Sequence, residues 1–129
     1  MQLSQKRESW GTQAQHWIAS RHGLNNCKAA TLDVSAFTAN THYPNGELLS
    51  GLPIAKLTAS GKYVPYNGAG SGGAENLAGF LLSNVPVVPG QDIDVVGAIL
   101  LHGMVATANL PIAVDAAGQA DVAGRIIFV

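Results

Sequence analysis

Charge is scarce in this chain. Asp, Glu, Lys and Arg make up 12% of its 129 residues, about half of the roughly 25% usual in soluble domains. The formal net charge is −1, which argues against a general nucleic-acid or anionic-membrane binder, since either needs a concentrated basic patch. Cysteine is rarer still. Cys27 stands alone, so neither an intramolecular disulfide nor a cysteine-based metal site can form, and a reducing compartment fits. No run of about 18 consecutive apolar residues occurs, so no membrane-spanning helix is expected. The opening MQLSQKRESWGTQ has no apolar stretch of the kind a secretory signal needs, and none is expected.

What the chain has instead is Gly, Ala, Ser, Thr and Asn around short apolar pieces. LPIAKLT, KYVPY, LAGFLLSNV, IDVVGAILL and MVATANL lie within residues 52–111. Each is rich in Val, Ile, Leu or Tyr and fenced by Gly, Pro, Asn or Asp, as strands are. RIIFV at residues 125–129 reads as a closing strand. The fold class expected is mainly β, a small barrel-like or sandwich domain over residues 47–129 with little helix and one core. Ser60-Gly61 sits between IAKLT and KYVPY as a hairpin turn. Pro65 inside the second of these has no N–H to give, which places that strand at an edge or a bulge. Gly79 suggests a bulge or a close approach. His102-Gly103 reads as a second hairpin turn, and residues 115–122 as a short helix despite Gly118. The run VVGAILL does not alternate, so both its faces should be covered. A body of about 85 residues has little surface to spare for that, and sister subunits would supply it.

Residues 1–46 read differently. They are polar, without sustained alternation, and end in the turn chemistry of THYPNG. Thr12 and Gln15 form a capping-box spacing, Trp17 and Ile18 follow along one face, and Gly23 is placed to end a helix over about residues 13–22. Residues 1–28 carry Lys6, Arg7, Arg21 and Lys28 against Glu8, whereas Lys56, Lys62 and Arg125 face seven acids in the rest. A basic extension on an acidic body suits an N-terminal arm that grips a partner. Trp and Arg are typical interface anchors, so Trp10, Trp17, Ile18 and Arg21 are the candidate binding residues. The alternative is that the Trp side chains staple the arm to its own body.

Chemistry is poorly represented. Gly68, Gly70 and Gly73 spell G-x-G-x-x-G, with Asp92 and Asp94 near the spacing of a ribose-binding acid, but Pro86 and Pro89 break the chain before a βαβ unit can form. A loop at a barrel corner or hairpin is expected there. His16, His22, His42 and His102 lack the spacing of one helix face that binds metal. No G-x-S-x-G elbow surrounds Ser50, Ser60, Ser71 or Ser83. Asp92 and Asp94 could do acid–base work but suit a solvated strand start. No catalytic, cofactor-binding or metal-binding residue is therefore assigned.

The order of the pieces SGLPIAKLTASGKYVPYNGAGSGGAENLAGFLL (residues 50–82), VVGAILLHGMVATANLP (95–111) and AGRIIFV (123–129) resembles the head decoration proteins of tailed bacteriophages, the class of the lambda capsid-stabilising protein. The resemblance implies a non-enzymatic, cofactor-free homotrimer on the outer surface of the virion. It would be made in the host cytoplasm and bound where major capsid subunits meet, cementing the shell through an N-terminal arm. Partners other than the major capsid protein and itself, such as nucleic acid or membrane, are not implied. The other reading is a β-rich surface module that binds carbohydrate or a host receptor, with Tyr63 and Tyr66 as its aromatic platform. A small oligomeric enzyme using Asp92, Asp94 or the histidines would need a pocket lined by several of them.

Overall fold

Among the described residues, five short strands close into a barrel whose last strand returns to its first, in the order β1 (Lys28–Leu32), β4 (Tyr63–Pro65), β3 (Pro53–Lys56), β5 (Leu77–Leu81), β7 (Val95–Leu100). The computed structural model describes residues 16–21, 23–24, 27–88 and 92–129. Two two-stranded ribbons accompany the barrel. One pairs β2 (Glu47–Leu48) with β6 (Val85–Pro86), and the other pairs β8 (Gly103–Val105) with β9 (Ile126–Phe128) in parallel. The helices α1 (Ala39–His42) and α2 (Ala116–Asp121) are short. The protein is mainly β, as its sequence predicts.

Closure depends on β1. Its alternation is brief: Ala30 and Leu32 point into the barrel while Ala29 and Thr31 remain exposed. It pairs antiparallel with β7 along all five residues, from Lys28 opposite Ile99 to Leu32 opposite Val95. On its other side it meets β4 in parallel at Leu32 and Tyr63, and the Asp33 N–H donates to the Tyr63 carbonyl at 2.9 Å. The expected boundary at residue 46 is thus corrected. Residues 28–32 are a barrel stave, because pairing to β7 satisfies backbone groups that an extended arm would leave to water.

Two apolar clusters follow from the strand faces. The barrel interior holds Leu32, Leu52, Ile54, Tyr63, Leu81 and Ile99, with Val34, Phe37, Leu48 and Val87 closing its mouths. The second cluster lies outside the barrel, where Leu77, Phe80 and Leu100 meet Trp17, Val105, Val122 and Ile126. The β8–β9 ribbon and α2 are its lid. Each large side chain so buried contributes about 1.5–3 kcal/mol by leaving water.

Several local expectations meet their physical test here. β3 and β4 form the expected hairpin, with a loop of more than two residues in which the Leu57 N–H donates to Lys62 O and the Gly61 N–H to Leu57 O. Pro65 lies beyond the single residue where β1 touches β4, so its missing N–H costs no ladder bond. A side chain at Gly79 would run into the Leu100 carbonyl, the close approach its place in the strand suggests. Asp115 caps the N-terminus of α2, its carboxylate accepting the Gly118 N–H at 2.8 Å.

Two expectations need correction. His102-Gly103 is not the turn of a β7–β8 hairpin, because β8 leaves the barrel to pair with β9, Gly103 opposite Ile126. Nor are residues 16–21 helical. Ile18 forms an antiparallel bridge to Val105, the Ala19 N–H donates to Met104 O at 3.0 Å, and the Ala106 N–H donates to Trp17 O at 2.7 Å. This stretch bridges the edge of β8 at one residue, since an open β8 edge offers it bonds that an isolated short helix cannot match. The capping-box residues Thr12 and Gln15 lie outside the described residues.

Candidate functional site

Trp17 is the residue on which the expected arm mechanism turns, and it faces its own body. Its side chain is 1% exposed, its Nε1–H donates to Ser50 Oγ at 3.0 Å, and its ring lies 5.8 Å from that of Phe80. Ser50 Oγ in turn donates to Leu82 O at 2.6 Å, and Asn84 Oδ1 accepts the Ser50 N–H at 2.7 Å. Every polar atom at this junction is satisfied, which lets an indole be buried without penalty. Gly51 completes the seat: it sits at φ 91°, and a Cβ there would lie 2.9 Å from the indole. Trp17 is therefore corrected from partner anchor to internal staple. Ile18 is half-buried against the same cluster, Arg21 is exposed, and Trp10 lies outside the described residues.

The other sequence candidates are dispersed. Asp94 forms an ion pair with Lys62 at 2.7 Å, and the ammonium is held above its ordinary pKa by that hydrogen bond and charge, with a smaller contribution from Asp33. Asp92 is exposed. The glycine loop leads into β5 rather than a helix, and Gly73 at φ 111° packs against the Lys56 backbone. These glycines serve turns and close packing. Among the described residues, no group of three or more His, Cys, Asp or Glu is placed to hold a metal ion. His42 lies on α1, where the Thr38 N–H donates to its Nδ1 at 2.8 Å, and burial lowers its pKa. His22 lies outside the described residues.

Two surfaces remain. The first is an open groove of about 480 Å³ between β4 and the segment after β1, lined by Asp33, His42, Val64, Pro65, Tyr66 and Asn67 among others. At its edge Tyr66 donates its hydroxyl proton to Asp115 Oδ1 at 2.7 Å, which pushes the phenol pKa up to about 12. Asp115 is held below the usual carboxylate range, first by the Gly118 N–H and then by that phenol. Tyr63, the expected platform partner of Tyr66, is 6% exposed inside the barrel. Residues of a strand alternate between faces, so 63 and 66 cannot form one aromatic surface.

The second surface is the outside of β1 and β7. Thr31 stands opposite Val96 and Ala29 opposite Ala98, and Val96 is 67% exposed. Ile93, just before β7, is 50% exposed. The β8–β9 lid covers Leu100 at the far end of β7 but stops short of Val96. The non-alternating VVGAILL run was the sequence signal for this surface. Its partner strand could not be read, because Ala and Thr carry little periodicity.

No protein-family model matches the chain, and no curated protein matches it.

Proposed function

We propose that this is a structural virion protein that decorates and stabilises the outside of a bacteriophage capsid, seated as a homotrimer at junctions between major capsid subunits. The observation that carries the reading is the exposed Val96 on the outside of β7, with Ile93 exposed just before it. A body this small, tied into a closed barrel and yet leaving Val96 67% exposed, is built to be covered by other protein. The order of its apolar pieces is the second support, through the resemblance to head decoration proteins. The mechanism differs from a simple arm. Trp17 and Ile18 pack on the body, so in this reading the grip falls to the residues before His16 and the exposed Arg21, together with the exposed barrel surface.

Adhesion by such a unit needs no single strong contact. Several weak contacts joined through one oligomer gain avidity, and a ligand that binds only the assembled shell stabilises that shell by mass action. The test is co-sedimentation with expanded phage shells stripped of decoration, followed by heating of the coated and uncoated shells. Saturable binding at a fixed ratio to the capsid subunit and a higher disruption temperature are expected. Absence of binding to any shell at micromolar concentration, beside saturable binding to glycans through the β4 groove, would overturn the reading in favour of a surface-recognition module.

A further inference from the structure

We infer that the groove beside β4 is a binding site for a neutral, hydroxyl-rich ligand, a saccharide. Three polar side chains that line it are each anchored by one end within the chain, which leaves the other end for a ligand. Asp33 Oδ1 accepts the Ser35 N–H at 3.2 Å and the Ser35 hydroxyl at 2.5 Å, and its Oδ2 has no hydrogen-bond partner among the described residues. His42 Nδ1 accepts the Thr38 N–H at 2.8 Å and burial lowers the pKa, so the ring is neutral with its proton on Nε2, a donor. Asn67 Oδ1 accepts the Ala69 N–H at 3.1 Å, so its Nδ2 group is left to donate. A fourth residue, Tyr66, supplies an aromatic wall. Its hydroxyl is tied to Asp115, and its ring lies so close to Gly118 that a Cβ there would come within 2.9 Å of it.

This set selects a ligand by charge and by the sense of its hydrogen bonds. An anion would suit the two donors but would meet the Asp33 carboxylate, with no cation in the lining to offset it. An ammonium would suit Asp33 but would turn more donors toward His42 Nε2 and Asn67 Nδ2. A hydroxyl both donates and accepts. Adjacent hydroxyls on one ring can therefore answer all three groups, while the C–H face of that ring rests on Val64, Pro65 and the Tyr66 phenol, the mixture of apolar floor and few polar contacts common in small-ligand sites. An extended peptide is the competing occupant, and β4 is a poor template for it. Leu57 N–H donates to Lys62 O and Tyr66 N–H to Pro53 O, which turns the backbone of residues 62, 64 and 66 toward β3. The opposite edge belongs to Tyr63, already paired with Leu32, and to Pro65, which has no N–H to offer an added strand. Sugar binding at this groove goes beyond the proposed function and does not depend on it.

The test is an amide NMR titration of the full chain with methyl glucoside, methyl galactoside, methyl mannoside, lactose and maltose, beside a glucose phosphate, glucosamine and a blocked trialanine peptide. At least one neutral sugar is expected to saturate with a dissociation constant of about 1 mM or below, and to move the amide signals of Thr38 and Ala69, whose N–H groups hold His42 and Asn67. The charged sugars are expected to bind about tenfold more weakly or worse. Ala36→Arg, at an exposed lining position, should abolish binding by filling the groove, and Asn67→Ala should weaken it about tenfold, both with little change in melting temperature. If Ala36→Arg does not fold, Asn67→Ala decides alone. No neutral sugar bound at about 50 mM, tighter binding of the phosphate, the amino sugar or the peptide, or an Asn67→Ala protein that binds as the wild type does would each overturn the inference. A chain that coats shells but ignores sugars loses this inference and keeps the decoration reading. A chain that takes sugar in the groove and coats no shell does the reverse.

Discussion

Trp17 shows how much a single side chain can decide. Its ring joins the barrel's outer face to the ribbon, and its N–H closes a hydrogen-bonded junction with Ser50. Trp17→Ala is expected to cost about 3–5 kcal/mol, measured as a lower urea midpoint at unchanged slope. Gly51→Ala should also destabilise, since its Cβ would meet the indole and its φ of 91° suits only glycine. His42 makes stability depend on pH. Its lowered pKa means that the fold holds the neutral ring. The stability it contributes is complete above the ordinary imidazole value of about 6.5 and is lost as pH falls through the lowered one. Melting temperature should fall on acidification below neutrality, and His42→Phe should flatten that part of the profile; an unchanged profile in the variant refutes the assignment. Tyr66 works in the opposite direction. Its pKa, raised to about 12, gives stability present below the ordinary phenol value and lost as pH rises through the raised one. Site-resolved NMR titration should show Tyr66 ionising later than an ordinary phenol, and Asp115→Asn should bring it down.

At the scale of elements, the division of labour is between a barrel and its lid. Among the described residues β9 pairs only with β8, yet Ile126 and Phe128 belong to the cluster that covers Phe80 and Leu100. Removing residues 126–129 is expected to expose that cluster and to lower stability by several kcal/mol, about what two large buried side chains provide. Dye binding to newly exposed apolar surface and a broadened thermal transition would report it; a sharp transition at the wild-type temperature would refute it. The strands with Val, Ile, Leu or Tyr and clear punctuation, β3, β4, β5, β7, β8 and β9, were legible from composition and turns. β1 was not, because Ala and Thr alternate weakly and its neighbours Phe37 and Tyr43 sit among polar residues. The destination of β8 was hidden as well: a two-residue turn signal says that the chain reverses, not which strand it then pairs with.

For the whole molecule, Trp17 is packed into the same cluster as β5, β7 and β9, so truncation must respect the staple. Deletion of residues 1–15 is expected to leave the melting temperature within a few degrees of wild type, whereas deletion of residues 1–28 should lower it sharply by removing Trp17 and one end of β1. If decoration depends on the leading segment, the shorter deletion will abolish co-sedimentation with shells while the protein stays folded and self-associated. Full occupancy by that truncated protein would place the capsid contact on the barrel surface instead.

The amino-acid sequence by itself determined the fold class and the surplus apolar run in β7, because these follow from local patterning, whereas the division of the apolar residues into two clusters and the course of the chain after His102-Gly103 did not. Only the tertiary structure decided that β1 closes the barrel, that Trp17 is spent on its own core, and that Tyr63 and Tyr66 part company. These are contacts between residues tens of positions apart, and they are selected by which edges and faces remain open once the other strands have paired.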